Sequence, residues 1–473
     1  MAGGELDAAT ARGLAGSLVA LVDAARHRIV LDDQSELVAR VTDHLGCAVA
    51  EIPNVSTSFD SWDHVNVHRG VQAYLDQHSP ATDWFGAQGQ MHGLQDVMDV
   101  LVLADRAGMF HLGAVDYATK ATGPDDAVDV VQFGLVCSWS PSGRPVVLSV
   151  RGPVERGPDS TCLLRVLAAD QAAATETRAE LERQVRGHNV YAGQLLQLDV
   201  TEARGNELVS FLRRPQLAVR DVVLPAGVLE AIEGHVIRPA DRSARLRAHG
   251  QHLKRGVLLY GPPGSGKTHT VRYLMSQLTD TTVVVLSGRA LTELLPSGVS
   301  LARRLQPAVV VIEDVDLIAE DRSYTQGAAP VLFELLNRID GVDPDADITF
   351  MLTTNRVDIV EPALVERPGR VDLAVEIPRP DANARERLLR LYAEDTDLDL
   401  PDASTLVAGT EGVTASFIRE LIRRAVLDQL DQTPGAGRVR LDHATLQHAL
   451  DDLHAEHNTL TRSILGGRPS LQD

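Results

Sequence analysis

The chain is 473 residues long, enough for two or three domains at roughly 150 residues each, with 44% hydrophobic and 23% charged residues. Those shares exclude wholesale disorder, a collagen-like repeat and a membrane bundle. A formal net charge of −20, from 45 basic against 65 acidic residues, disfavours non-specific attraction to nucleic-acid phosphates or anionic lipid.

In chain order, Glu5 and Asp7 precede any apolar run and Asp23 interrupts Leu14–Ala25, so no signal peptide is expected. No apolar run reaches the roughly 18 residues of a membrane span, and the three scattered cysteines, Cys47, Cys137 and Cys162, fit a reducing compartment. The expected location is cytoplasmic. Helical spacing is predicted over Leu14–Arg28 and Gln34–Leu45. Alternation in Val130–Trp139 and Pro145–Arg151, around Ser-Pro-Ser-Gly-Arg, predicts a hairpin. A helix over Ala173–Arg186 and a strand over Asn189–Leu198 follow. Together these make residues 1–205 a separate mixed α/β domain, with Trp62, Trp84 and Trp139 expected in its core in preference to the alternative, a partner-binding face. His64 and His68 share a helical face, but spacing places no acidic third ligand beside them, and no metal site is expected there.

The polar stretch Arg204–Pro215 marks a boundary. From Asp221 to about Arg379, β-branched runs alternate with helical patterns: Gly256–Tyr260, Val271–Leu278, Thr282–Ser287, Val309–Ile312, Val331–Arg338 and Ile348–Thr354. Such alternation predicts a doubly wound parallel sheet over 206–380. Beyond Pro380 helical spacing alone remains, over Ala384–Asp395, Ala415–Leu430 and His443–His454, which predicts a small helical subdomain over 381–456 and a flexible tail over 457–473.

Chemistry concentrates in the second region. Gly261-Pro-Pro-Gly-Ser-Gly-Lys-Thr268 matches the phosphate-binding loop in full, directly after one predicted strand and before a helix. Glycines at 264 and 266 let backbone N–H groups wrap a phosphate, Lys267 reaches the β- and γ-phosphates, and Thr268 ligates Mg²⁺. Lysine is otherwise confined to Lys120 and Lys254; with abundant alanine, arginine and valine, that scarcity resembles GC-rich bacterial coding bias. The strand Val309–Ile312 ends on two carboxylates: Glu313 faces the metal and Asp314 polarises the attacking water. A third strand ends on Asn355, an amide able to hold that water or a γ-oxygen. Arg367 and Arg370 bracket a Pro-Gly turn, as guanidinium groups offered to a neighbouring subunit's γ-phosphate would.

From about Asp221 to Leu453 these residues resemble the AAA family of AAA+ ATPases. Gly261–Thr268 looks like Walker A, Val309–Asp316 like Walker B, Asn355 like sensor 1, and the stretch to Arg370 like the second region of homology with its arginine fingers. Leu336–Gly341 looks like the leucine-rich helix and Asp-Gly turn, and Gly412–Ser416 like the glycine-bearing lid segment against the nucleotide. The resemblance implies a P-loop NTPase α/β fold with a C-terminal helical lid. It implies ATP and Mg²⁺ as ligands and nucleotide contacts from Gly261, Pro262, Pro263, Gly264, Ser265, Gly266, Lys267, Thr268, His269 and Ala415. Metal ligation falls to Thr268 and Glu313, and catalysis to Glu313, Asp314, Asn355, Arg367 and Arg370. It also implies a homohexameric ring with shared sites, and a protein client selected by the N-terminal domain and remodelled by ATP hydrolysis.

Three departures stand out. The acid order is Glu313 then Asp314, reversed from the family's, which leaves the base one methylene shorter. Leu291–Gly298 carries no aromatic pore residue, and Leu294 and Leu295 are expected to pack in a helix. One extra residue precedes Arg367. The first two also fit an alternative, a slowly hydrolysing assembly switch. Nucleic-acid remodelling is disfavoured by the acidic balance and by the lack of a recognisable helix-turn-helix or zinc module after the lid.

Overall fold

The computed structural model describes residues 35–89, 92–154, 161–199, 208–316, 341–356, 371–432 and 437–464. The helices expected over Leu14–Arg28 and Val331–Arg338 lie outside the described residues, as do Arg367, Arg370 and most of Leu336–Gly341. Of the described residues, 35–190 with 208–211 form one compact unit, and 191–199 with those from 212 onward form the other.

The first unit is built on an antiparallel sheet in the order Asn54–Asp60, Thr161–Ala168, Pro145–Arg151, Ala127–Trp139, Asp116–Ala121. Side chains alternate across a strand, so Val147 enters one core and Val146, Leu148 and Val150 the other. The first core takes the apolar faces of helices Glu36–Leu45 and Val97–Ala107; the second takes those of His64–His78 and Gln171–Gly187. Both sheet faces are therefore covered by helices, which is why the central strands read as nearly continuous apolar runs. The expected hairpin is present, closing on Trp139 opposite Pro145. Trp139 does not enter the core. It ends its strand 47% exposed, with an edge contact to the His44 ring at 5.3 Å. His64 is fully buried and donates from Nε2 to the Val131 carbonyl at 2.7 Å, while the Val131 amide donates to Nδ1 of His68 at 3.4 Å. Both histidines thus serve the backbone of one strand.

In the second unit, strands Leu373–Glu376, Arg255–Tyr260, Ile348–Thr354, Ala308–Ile312, Thr282–Leu286 and Leu195–Leu198 follow one another in a single sheet, each parallel to its neighbour. Leu195–Leu198 is the strand that sequence reading assigned to the N-terminal domain. It pairs from Val283↔Leu195 to Leu286↔Leu198, and its leucines are buried in the second unit. Arg214 secures this edge: its guanidinium donates to four carbonyls, those of Met275, Leu278, Gly193 and Thr281, at 2.7–3.1 Å. Helices Val228–Ala240 and Lys267–Gln277 cover one sheet face, joined in a single cluster with Val257, Val283 and Val309.

Past Pro380, helices Ala382–Tyr392, Ser404–Gly409, Ala415–Gln432 and His443–Ile464 enclose their own apolar cluster around Leu389, Ile418, Leu421 and Leu446. The last helix continues to Ile464 where a tail was expected from residue 457, since neither glycine nor proline interrupts 443–464. Between Ser287 and Ala308 the chain forms two short helices, Arg289–Glu293 and Leu295–Arg304. Leu291 and Leu295 are buried there, as expected for packing, whereas Leu294 lies between the helices and is half-buried.

Candidate nucleotide-binding site

Three neighbouring parallel strands deliver the site. Arg255–Tyr260 runs into the phosphate loop, Ala308–Ile312 into Glu313 and Asp314, and Ile348–Thr354, lying between them, into Asn355. The carboxyl edge of such a sheet is where ligands bind, because the strands there give way to loops and helix N-termini. The asparagine is therefore placed between the loop and the acids by topology alone.

The loop needs glycine at two crowded points. At Gly261, φ is +147°, and a Cβ would stand 2.2 Å from the Ile377 carbonyl oxygen. At Gly264, φ is +75°, and a Cβ would stand 2.1 Å from Oγ of Ser416. The Ser416 amide donates to the Gly264 carbonyl at 3.1 Å, so the first turn of the lid helix is fastened directly to the loop. Ser265 is buried, and its hydroxyl has no partner among the described residues.

Lys267 opens the helix Lys267–Gln277 and is buried. Its ammonium donates to the carbonyls of Gly261 at 2.9 Å and Pro262 at 3.0 Å and to Oδ1 of Asn355 at 2.8 Å. Desolvation lowers its pKa, against the opposing pull of Asp314 and Asp316. Thr268 hydrogen-bonds the Glu313 carboxylate, whose pKa burial and the Asp314 charge nonetheless raise. His269 donates from Nε2 to the Asp221 carbonyl at 2.8 Å, tying the helix to the segment that precedes Arg255–Tyr260.

Asn355 is over-determined. Its amide Nδ2 donates to Oδ2 of Asp316 at 3.2 Å and to Oδ1 of Asp314 at 3.4 Å, and its backbone N–H to Oδ1 of Asp316 at 3.1 Å. The Thr354 hydroxyl adds a further bond to Asp316 at 3.0 Å. Burial raises the Asp316 pKa, but these donors outweigh it and hold the carboxyl below the ordinary aspartate range. Sequence reading quoted Asp316 without giving it a role; its position three residues past Glu313 was the available signal.

These groups border a cavity of about 420 Å³. Pro263, Gly264, Gly266, Lys267, Thr268 and His269 line it from the loop and its helix, with Asp314 and Asn355 at the strand ends. Ala415, Ser416, Arg419 and Tyr392 line it from the lid, and Arg272 from the loop helix. Ser416 ends the expected lid segment Gly412–Ser416, whereas Arg272, Tyr392 and Arg419, which belong to no contiguous motif, were missed from the sequence. Lys267, Arg272 and Arg419 make the cavity cationic, as a polyphosphate requires. The adjoining Thr268 hydroxyl and Glu313 carboxylate are an all-oxygen donor pair suited to Mg²⁺, which takes its other ligands from phosphate and water.

Residues 257–379 match the family model of the "ATPase family associated with various cellular activities (AAA)". The chain is 34% identical over 212 residues to proteasome-activating nucleotidase 2 of Halobacterium salinarum, covering 42% of this chain and 50% of that one. To 26S protease regulatory subunit 6A of Caenorhabditis elegans it is 34% identical, covering 36% and 42%. To the ATP-dependent zinc metalloprotease FtsH 3 of Sphaerobacter thermophilus it is 30% identical, covering 56% and 55%. It thus spans about half the length of these relatives. The stretch that matches the family model, 257–379, is the one that holds the phosphate loop, the two carboxylates and the asparagine on adjoining strands, so the likeness to AAA ATPases falls on the site itself.

Proposed function

We propose that this chain hydrolyses ATP with Mg²⁺, in assemblies of several copies that share their sites, and uses the cycle to remodel a protein partner. The carrying observation is the convergence of Lys267, Asn355 and Asp314 on one cavity closed by the lid. In this reading the loop amides and Lys267 bind the β- and γ-phosphates, and Asn355 orients the attacking water. Asp314 takes the proton that water loses as its oxygen bonds to the γ-phosphorus and the β–γ bridging oxygen departs with ADP. Bound between Thr268 and Glu313, Mg²⁺ would offset phosphate charge. Because Ser416 is fastened to Gly264, a shift of the loop on γ-phosphate loss is passed to the lid helix.

The relatives' names, a proteasome-activating nucleotidase, a protease regulatory subunit and an ATP-dependent protease, support a protein client over a nucleic acid or a small metabolite. The first unit, absent from the aligned family core, is the proposed client reader. Arg367 and Arg370 retain their proposed role across a subunit boundary in a homohexamer. A cytoplasmic location belongs to the same reading. Among the described residues no helix is long and apolar enough to cross a membrane.

The short reach of Asp314 favours a second reading, an ATP-dependent assembly switch with slow turnover. Steady-state ATPase rate against protein concentration separates the two, with Asp314→Asn as control and mass measured with and without ATP. A per-subunit rate that rises as assemblies form, and is lost in Asp314→Asn, supports the remodelling ATPase. Assembly with negligible turnover supports the switch.

A further inference from the structure

The reversed acid order raises a geometric question: what aims a carboxylate that is one methylene short? Pairing between Ala308–Ile312 and its neighbour ends at Ile312↔Leu352, and the Glu313 amide is taken by the Leu286 carbonyl at 3.3 Å. The next amide, that of Asp314, has no ladder partner. Asp314 also has φ of +50°, the described residues' one positive-φ position that is not glycine. Aspartate tolerates this left-handed conformation better than most residues, yet nothing in its own chemistry selects it.

The selecting group lies across the sheet. Thr353 is fully buried, and its Oγ1 accepts the Asp314 N–H at 2.9 Å. A buried hydroxyl left without a partner is costly, as is a buried amide, so each group satisfies the other and fixes the peptide plane. The next residue, Thr354, grips Asp316. Two successive threonines on one strand therefore hold the two aspartates of the neighbouring strand's exit, and Asn355 touches both carboxylates.

We propose that Thr353 is a positioning residue for hydrolysis: by capturing the Asp314 amide it locks the left-handed turn that aims the shortened carboxylate into the nucleotide cavity. This rests on the reading of Asp314 as the base. Removing the acceptor frees the peptide plane, and the carboxylate then samples directions away from the water site.

The test compares Thr353→Val, which keeps the shape and loses the acceptor, with Thr353→Ser, which keeps the hydroxyl. In the full chain, Thr353→Val lowers kcat about tenfold or more while KM for ATP and ADP affinity stay within about twofold, and Thr353→Ser restores kcat. If Thr353→Val fails to melt cooperatively or to bind ADP, Thr353→Ala takes its place, with the same expectation. Full kcat in the hydroxyl-free variant overturns the proposal; so does an equal loss in Thr353→Ser, which would reduce the effect to packing. Asp314→Asn, run alongside, separates the two layers. If it is inactive while Thr353→Val or Thr353→Ala turns over normally, the base assignment stands and positioning falls. If it turns over normally, the base assignment itself fails and the proposal goes with it.

Discussion

Lys267 carries a positive charge into a site that offers it two backbone carbonyls and an amide oxygen, with the nearest acids acting only through space. Neutral acceptors compensate a buried ammonium poorly, which is why burial lowers its pKa. A phosphate oxygen is the better partner, and taking it releases Asn355 from Lys267, so that nucleotide binding frees the amide for water. Lys267→Ala therefore weakens ATP and ADP binding by about tenfold to a hundredfold, the range for losing a charged hydrogen bond. Calorimetric titration checks this, and unchanged affinity would remove Lys267 from the phosphate site. The lysine was legible because its motif is contiguous and needs no knowledge of tertiary structure. Asp316 was harder to interpret, since the Thr354 and Asn355 groups that give it meaning lie 38 and 39 residues away. Trp139 was misjudged for a related reason: residue type indicates burial, but a position at a strand's last residue cancels it.

At the scale of elements, the strand and helix flanking the phosphate loop were readable because each carries a full period of its pattern, the strand buried over Arg255–Leu259 and the helix buried on one face. Leu195–Leu198 was legible as part of a strand over 189–198, but its sheet was not, since only pairing with Thr282–Leu286 decides that; Leu373–Glu376, four residues beside Arg255–Tyr260, was not expected at all. The first unit's layering was equally illegible, since it depends on which face of a strand meets which helix. That layering has a consequence for pH. The helix His64–His78 seats His64 against Val131, where desolvation drives its pKa down to about 4; the Val131 hydrogen bond opposes the shift, and Lys120 and His68 add to it. Desolvation and Arg69 also lower that of His68. The unfolded chain, with histidine near 6.5, binds these protons more readily than the folded one. The stability linked to His64 is thus whole above pH 6.5, falls as pH drops toward 4, and levels off below, for about 3 kcal/mol in all. Urea melts of the first unit's tryptophan fluorescence across that range show the slope, and His64→Leu flattens most of it. An unchanged slope would mean that His64 is accessible to protons in the folded state.

For the whole molecule the decisive question is whether one chain makes a complete site. In the proposed function Lys267, Glu313, Asp314 and Asn355, which adjoin one another in a single copy, serve as the loop cation, the metal-side acid, the base and the amide. They leave open which group meets the γ-phosphate from the lid's far side. Arg419 lines the cavity but lies over the Tyr392 ring, 5.2 Å from its centroid, and both come from the lid of the same copy. If Arg367 acts in a neighbour's site, two inactive variants complement one another. An Arg367→Ala copy keeps its own base, and an Asp314→Asn copy keeps its arginine. A mixed assembly then contains interfaces where an intact base faces an intact arginine, and at equal mixing about one interface in four is of that kind. Turnover should recover to roughly a quarter of the wild-type rate per subunit, set by random pairing of independent sites. Recovery that peaks near equal mixing and disappears when Arg367→Ala and Asp314→Asn are placed in one chain establishes sharing. No recovery at any ratio, in assemblies shown by mass to contain both variants, means that each copy completes its own site, and Arg419 becomes the arginine to remove next.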